Sequence, residues 1–91
     1  MKKRRVVLNG RRMRTREEMY RYLKRKLSLP AGCGKNLDAL HDVCTEPRFA
    51  LDVVLTRRDL LLKNLGEYGE SFIVMMTDCA DENDNMTFIE E

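Results

Sequence analysis

Three short strand-like segments, Val6–Leu8, Phe49–Leu55 and Met86–Ile89, are separated by long stretches of helical periodicity. Strands joined by helical crossovers cannot form hairpins, so they must pair in parallel, with helices covering the sheet. Val6-Val7-Leu8 is continuous rather than alternating and ends at the turn pair Asn9-Gly10. Such a run reads as a strand covered on both faces, hence a central one. With right-handed crossovers, a central first strand gives the order 2-1-3. The expected fold class is α/β: a small three-stranded parallel sheet packed with about four helices in two or three layers.

The helices have readable boundaries. Thr15-Arg16-Glu17-Glu18 is a capping box, and Met19, Leu23 and Leu27 then recur every four residues. This predicts a helix over 16–27 with a basic outer face, ended by Leu29-Pro30. Ala31-Gly32-Cys33-Gly34 is a loop, and Asn36 caps a second helix over 37–45. Glu46-Pro47 closes that helix. In the second strand, Phe49, Leu51, Val53 and Leu55 share one face and Val54 takes the other. Thr56 followed by Asp59 begins a third helix that carries Leu60, Leu61, Leu62 and Leu65 and stops at Gly66. Tyr68, Phe72, Met75, Met76 and Cys79 place a fourth helix up to about Asp81, and this stripe reads as core.

Length and composition bound the function. The 91 residues make one domain, 1–91, with a single modest core. A chain 43% apolar and 35% charged is too apolar for disorder and too charged for a membrane protein. Its longest apolar run, Phe72–Met76, is far below the roughly 18 residues that span a bilayer. Lys2, Lys3, Arg4 and Arg5 imitate the start of a signal peptide, but Val6-Val7-Leu8 is too short for its apolar segment. The expectation is a cytoplasmic protein that is not exported.

The net charge of +2 conceals a division. Residues 1–28 hold twelve Lys and Arg against Glu17 and Glu18, giving +10, while residues 29–91 hold five against thirteen Asp and Glu, giving −8. The basic part suits nucleic acid or another polyanion. The acidic part suits a basic protein or imitates nucleic-acid phosphates. Either part also reads as a solvated face.

Catalytic chemistry is thin. There is one histidine, no G-x-S-x-G, no phosphate-binding glycine loop and no H-E-x-x-H. His41 and Asp42 are adjacent on a helix and point about 100° apart, so they form no base-and-orienter pair. Cys33, Cys44 and Cys79 are widely spaced and read as reduced thiols, the last two in the core. A zinc site of Cys33, His41 and Cys44 lacks a fourth ligand and a known spacing. No enzyme, cofactor or metal is expected.

What remains is a stripe on the second helix. Asp38, His41, Asp42 and Thr45 lie at i, i+3, i+4 and i+7, opposite Leu37, Leu40 and Cys44, and Glu46 follows. Carboxylates at i and i+4 repel by a few tenths of a kcal/mol on an isolated helix. A stripe that does not serve its own helix suggests a cation or a basic partner.

At Gly34-Lys35-Asn36-Leu37-Asp38-Ala39-Leu40-His41-Asp42 the chain resembles the barstar family, intracellular inhibitors of barnase-like bacterial ribonucleases. The family pattern is an aromatic-rich loop followed by G-x-N-L-D-A-L-W-D, and only His41 departs within it. The Met-Lys-Lys start, the strand ending in Asn9-Gly10, the Leu-Pro before the loop and the terminal Met86-Thr87-Phe88-Ile89 fall in the family's order. Residues 47–69 match only in pattern. The resemblance implies a loop and second helix that plug a nuclease active site in a 1:1 complex. Asp42 then matches the carboxylate that takes a substrate-phosphate position, and Asp38 a second acidic contact. Gly34, Asn36, Ala39 and Thr45 match positions approaching by backbone or small side chain, and Asp78 an acidic position on the fourth helix. Gly32, Cys33 and His41 replace family aromatics, the usual interface anchors.

Three readings follow. The first is an inhibitor of a basic bacterial ribonuclease, or an immunity protein for a ribonuclease toxin, with no small-molecule substrate and no membrane. The second is an RNA- or ribosome-binding module using Arg11, Arg12, Arg14, Arg16, Arg21 and Arg25. The third is an interaction protein that keeps the fold without the nuclease role.

Overall fold

A computed structural model describes residues 3–91. Met1 and Lys2, which open both the basic stretch and the family resemblance, lie outside the described residues. The element order is β1 (Arg4–Asn9), a 3-10 turn (Gly10–Arg12), α1 (Arg16–Lys26), α2 (Leu37–Cys44), β2 (Leu51–Thr56), α3 (Arg58–Leu65), α4 (Glu67–Glu82) and β3 (Thr87–Glu90). All strands pair in parallel, with Val6 opposite Val53 and Val53 opposite Phe88.

The strand order is β1-β2-β3, not 2-1-3. β2, not β1, is central, and burial gives the reason. Val53, Val54 and Leu55 are all buried, whereas Val7 is 40% exposed. The continuous run in β1 therefore does not mean cover on both faces. When neighbours connect in sequence, right-handed crossovers lay both helical layers on one face of the sheet. The outer face stays open, with Val7 and Ile89 exposed on either side of the shielded Val54. Polar neighbours border this row: Arg5 pairs with Glu91 at 3.3 Å, and Thr87 donates to Asp52 at 2.7 Å.

The inner face meets a core in which Leu8, Met19, Leu23, Leu40, Leu55 and Phe72 are fully buried. Each such side chain contributes about 1.5–3 kcal/mol. Thr15 caps α1, its hydroxyl accepting from the Glu18 N–H at 3.1 Å. The return half of the capping box is diverted, because the Glu18 carboxylate takes Arg14 at 3.0 Å. α1 ends before Leu29-Pro30 exerts any effect: Ser28 turns to φ 55° and the Leu29 N–H donates to Lys24 O at 3.1 Å. That left-handed closure satisfies carbonyls of the last turn.

α3 does not start on Thr56. Thr56 completes β2, and its hydroxyl donates to Leu8 O at 3.4 Å. Arg57, at φ 53°, makes the turn without a side-chain cap. A Cβ on Gly10 would sit 2.1 Å from Arg57 O, so Asn9-Gly10 marks a close approach of two backbones as well as a turn. Gly66, at φ 54°, ends α3, and α4 begins at the next residue. Phe49 precedes β2 in a turn, its N–H donating to Glu46 O at 2.9 Å, while its ring remains in the core.

Candidate functional site

α2 is built as its sequence directs. The Asn36 side-chain oxygen accepts from the Ala39 N–H at 2.7 Å, and Leu40 and Cys44 are fully buried. Asp38 and Asp42 are exposed, and His41 and Thr45 are half-buried. The Thr45 hydroxyl donates to His41 O at 2.8 Å, so it is used by its own helix. Glu46 is exposed and pairs with Arg48 at 3.2 Å. Ala39 is half-buried beneath the loop.

α4 packs beside α2, and the two define an open groove of about 570 Å³. Asp38, His41 and Asp78 line it together with Glu67 and Glu70 of α4, and Leu37, Val74 and Met75 supply its apolar surface. His41 reaches from α2 to α4, with Nε2 3.1 Å from an oxygen of Glu82, which lies beyond the groove lining. Asp42 lies outside it on the solvent flank of α2. Among the described residues, Asp38, Asp42 and Asp78 have no Lys, Arg or His within ion-pair distance. Asp38, Glu67 and Glu70 sit in first helical turns, where the helix dipole favours them. Asp78 and Glu82 sit toward the end of α4, where it does not. Of the α4 carboxylates only Asp78 was named from the sequence; Glu67, Glu70 and Glu82 were missed, although positions 67, 70, 74, 78 and 82 step by three and four along one helical stripe.

The loop residues face elsewhere. Gly32 is exposed, and a Cβ there would meet nothing within 4 Å. A Cβ on Gly34 would lie 3.2 Å from Ala39 Cβ and from Asn36 Nδ2, so a side chain would press on the helix cap. Cys33 is half-buried and, with Gly34, borders a separate cavity beside Tyr20 on α1. The expected site is thus divided between an acidic groove and a loop that turns toward basic α1. Cys44 and Cys79 are both fully buried. A hydrogen bond with Cys79, with burial added, pushes the Cys44 thiol far above its ordinary range and keeps it protonated.

The α2–α4 face is fixed from below by Asn83, which is 4% exposed. Its amide donates to Cys44 O and Glu46 O at 2.9 Å and to Phe49 O at 3.0 Å. Its oxygen accepts from the Asn85 N–H at 3.0 Å. The end of α4 thereby holds the end of α2 and the turn into β2.

The molecule is a small parallel α/β domain that presents unpaired carboxylates on two adjacent helices. The family model described as Barstar (barnase inhibitor) matches residues 3–89. The chain belongs to the barstar family, a family of inhibitors rather than enzymes. No curated protein matches it closely enough to be named as a relative. Among the described residues, no helix is long and apolar enough to cross a membrane.

Proposed function

We propose that the protein inhibits a basic, barnase-like bacterial ribonuclease inside the cell by filling its cationic substrate cleft with the acidic faces of α2 and α4. The observation that carries this reading is that Asp38, Asp42 and Asp78 stand exposed on two helices that pack together, with no cation among the described residues within ion-pair distance. A ribonuclease holds RNA phosphates with cationic groups, and preformed carboxylates compete for those groups without first breaking internal pairs. Asp42 is the principal phosphate mimic, Asp38 and Asp78 extend the acidic surface, and Glu46 contributes least because Arg48 already engages it. With Gly32, Cys33 and His41 where the family carries aromatics, charge bears more of the recognition. Binding then weakens steeply with salt.

The test is titration of RNA cleavage by barnase-like ribonucleases with purified protein. Inhibition saturates at one equivalent, and Asp42→Ala weakens it at least tenfold, about 1.4 kcal/mol. Unchanged inhibition by both Asp42→Ala and Asp38→Ala rejects the site. No inhibition of any such nuclease favours an interaction protein that has kept only the fold. A role as the immunity partner of a ribonuclease toxin is the narrower form of this proposal.

A further inference from the structure

The basic half of the chain forms a surface of its own on the 3-10 turn and α1. Tyr22 is its anchor: the residue is 8% exposed and its hydroxyl accepts from the Asn9 N–H at 3.0 Å. The guanidinium carbons of Arg12 and Arg25 lie 5.9 Å and 5.7 Å from the centroid of that ring. With Arg14 and Arg21 they border a cavity of about 280 Å³, in which the only carboxylate is Glu18. Glu18 is committed to Arg14. Among the described residues, Arg12, Arg21 and Arg25 have no carboxylate within ion-pair distance, and Glu18 attracts Arg21 and Arg12 only from farther off. Four guanidiniums against one carboxylate leave the recess net positive, and an anion placed there relieves the remaining repulsion.

The recess is also one of three that run along α1. Arg25 is shared with a cavity of about 410 Å³ that adds Arg4, Arg5 and Lys26. Arg21 is shared with a cavity of about 340 Å³ that adds Lys24 and Lys35, with Glu17 its one carboxylate. Of the added cations, Arg5 is paired with Glu91, and Arg4 donates to Ser28 Oγ at 3.2 Å. A lone phosphate fills one such recess, whereas a chain of phosphates follows all three.

We propose that this α1 face binds the phosphate backbone of a nucleic-acid strand, seated on Arg12, Arg21 and Arg25. Tyr20 and Tyr22 are buried, so no exposed aromatic ring on α1 receives a base, and binding is independent of sequence. A lipid surface fits less well, because Val7 is the only large exposed apolar side chain bordering these cavities. The site shares no residue with the α2–α4 groove, and the proposal does not rest on nuclease inhibition.

The experiment measures fluorescence anisotropy of a labelled, unstructured 20-nucleotide RNA, and of the same sequence as DNA, against the full chain at 50–200 mM salt. Neutralising about three phosphates gives a log–log salt slope near −2, at about −0.7 per contact for single strands. Arg21→Gln with Arg25→Gln brings the slope to about −0.7 and weakens binding at least tenfold at 50 mM salt. Arg58→Gln, whose parent side chain pairs with Glu90 off this face, and Asp42→Ala leave binding unchanged. Equal binding of DNA supports phosphate recognition, and preference for RNA supports it with a 2′-hydroxyl contact added. The absence of saturable binding at 50 mM salt overturns the proposal. So does full binding by the double variant with an unchanged thermal melt. Displacement of RNA by polyglutamate at equal charge overturns it in favour of an acidic polypeptide.

Discussion

Asn83→Ala tests how the acidic face is held. The amide of Asn83 has two hydrogens and meets three carbonyls at 2.9–3.0 Å, so one hydrogen is shared. Its oxygen accepts a fourth bond, from the Asn85 N–H. Counting three full hydrogen bonds at about 1 kcal/mol each, with a further increment for carbonyls left dry, gives a loss of about 3–4 kcal/mol. That is a large share of the 5–15 kcal/mol typical of a whole domain. Urea unfolding followed by circular dichroism measures it. With a slope of about 1–1.5 kcal/mol/M, the midpoint falls by roughly 2–4 M. Asn85→Ala is the control, because Asn85 is exposed and donates from its side chain only to Pro47 O at 2.8 Å. Its loss stays within about 1 kcal/mol. A loss below about 1 kcal/mol for Asn83→Ala, or one equal to that of Asn85→Ala, refutes the reasoning.

Other substitutions probe other joints. Gly10→Ala drives a methyl group to 2.1 Å from Arg57 O and destabilises by about 2 kcal/mol or more on the same urea assay, since backbone must shift. Asn36→Ala removes the cap on the Ala39 N–H and costs about 1 kcal/mol, so it lowers both the thermal midpoint and inhibition. Burial and the Tyr68 hydroxyl raise the Tyr20 pKa, so above about pH 10 Tyr20 ionises in the unfolded chain but not in the folded one. Stability is full below that pH and falls as pH rises through it; Tyr20→Phe flattens this alkaline decline in thermal melts at pH 9–11, and an unchanged decline sinks the assignment.

The local signals survived because they are local. Thr15 and Asn36 cap the helices they precede, and Gly66 ends α3, since each acts within one turn. Strand order was misjudged because it depends on which strand acquires neighbours on both sides. Val6-Val7-Leu8 and Val53-Val54-Leu55 are identical apolar tripeptides, yet of their middle residues only Val54 is shielded. Asn83 was invisible for a related reason. A polar residue after a helix looks like a surface residue until the carbonyls of Cys44, Glu46 and Phe49 are brought to it across more than thirty positions. Within the site, the α2 stripe was legible because one helix fixes its spacing. The groove required knowing that α4 lies alongside, which no periodicity states.

The division of charge has a kinetic consequence for inhibition. If the α2–α4 face meets a basic nuclease, the cations of α1 repel that nuclease during its approach. The molecule is only 20–35 Å across. At 0.01 M salt the screening length is about 30 Å, so the nuclease senses both faces at once; at 0.15 M it is about 8 Å, so it senses only the nearer one. Arg21→Gln with Arg25→Gln should therefore raise the association rate at low salt and leave the dissociation rate unchanged, because neither residue lines the acidic groove. Stopped-flow fluorescence over 0.01–0.15 M salt reads both rates. The advantage of the double variant shrinks as salt rises and vanishes near physiological strength. An association rate unchanged or slower at 0.01 M would mean that α1 faces the nuclease's own acidic surface, and that the bound orientation proposed for α2 and α4 is wrong.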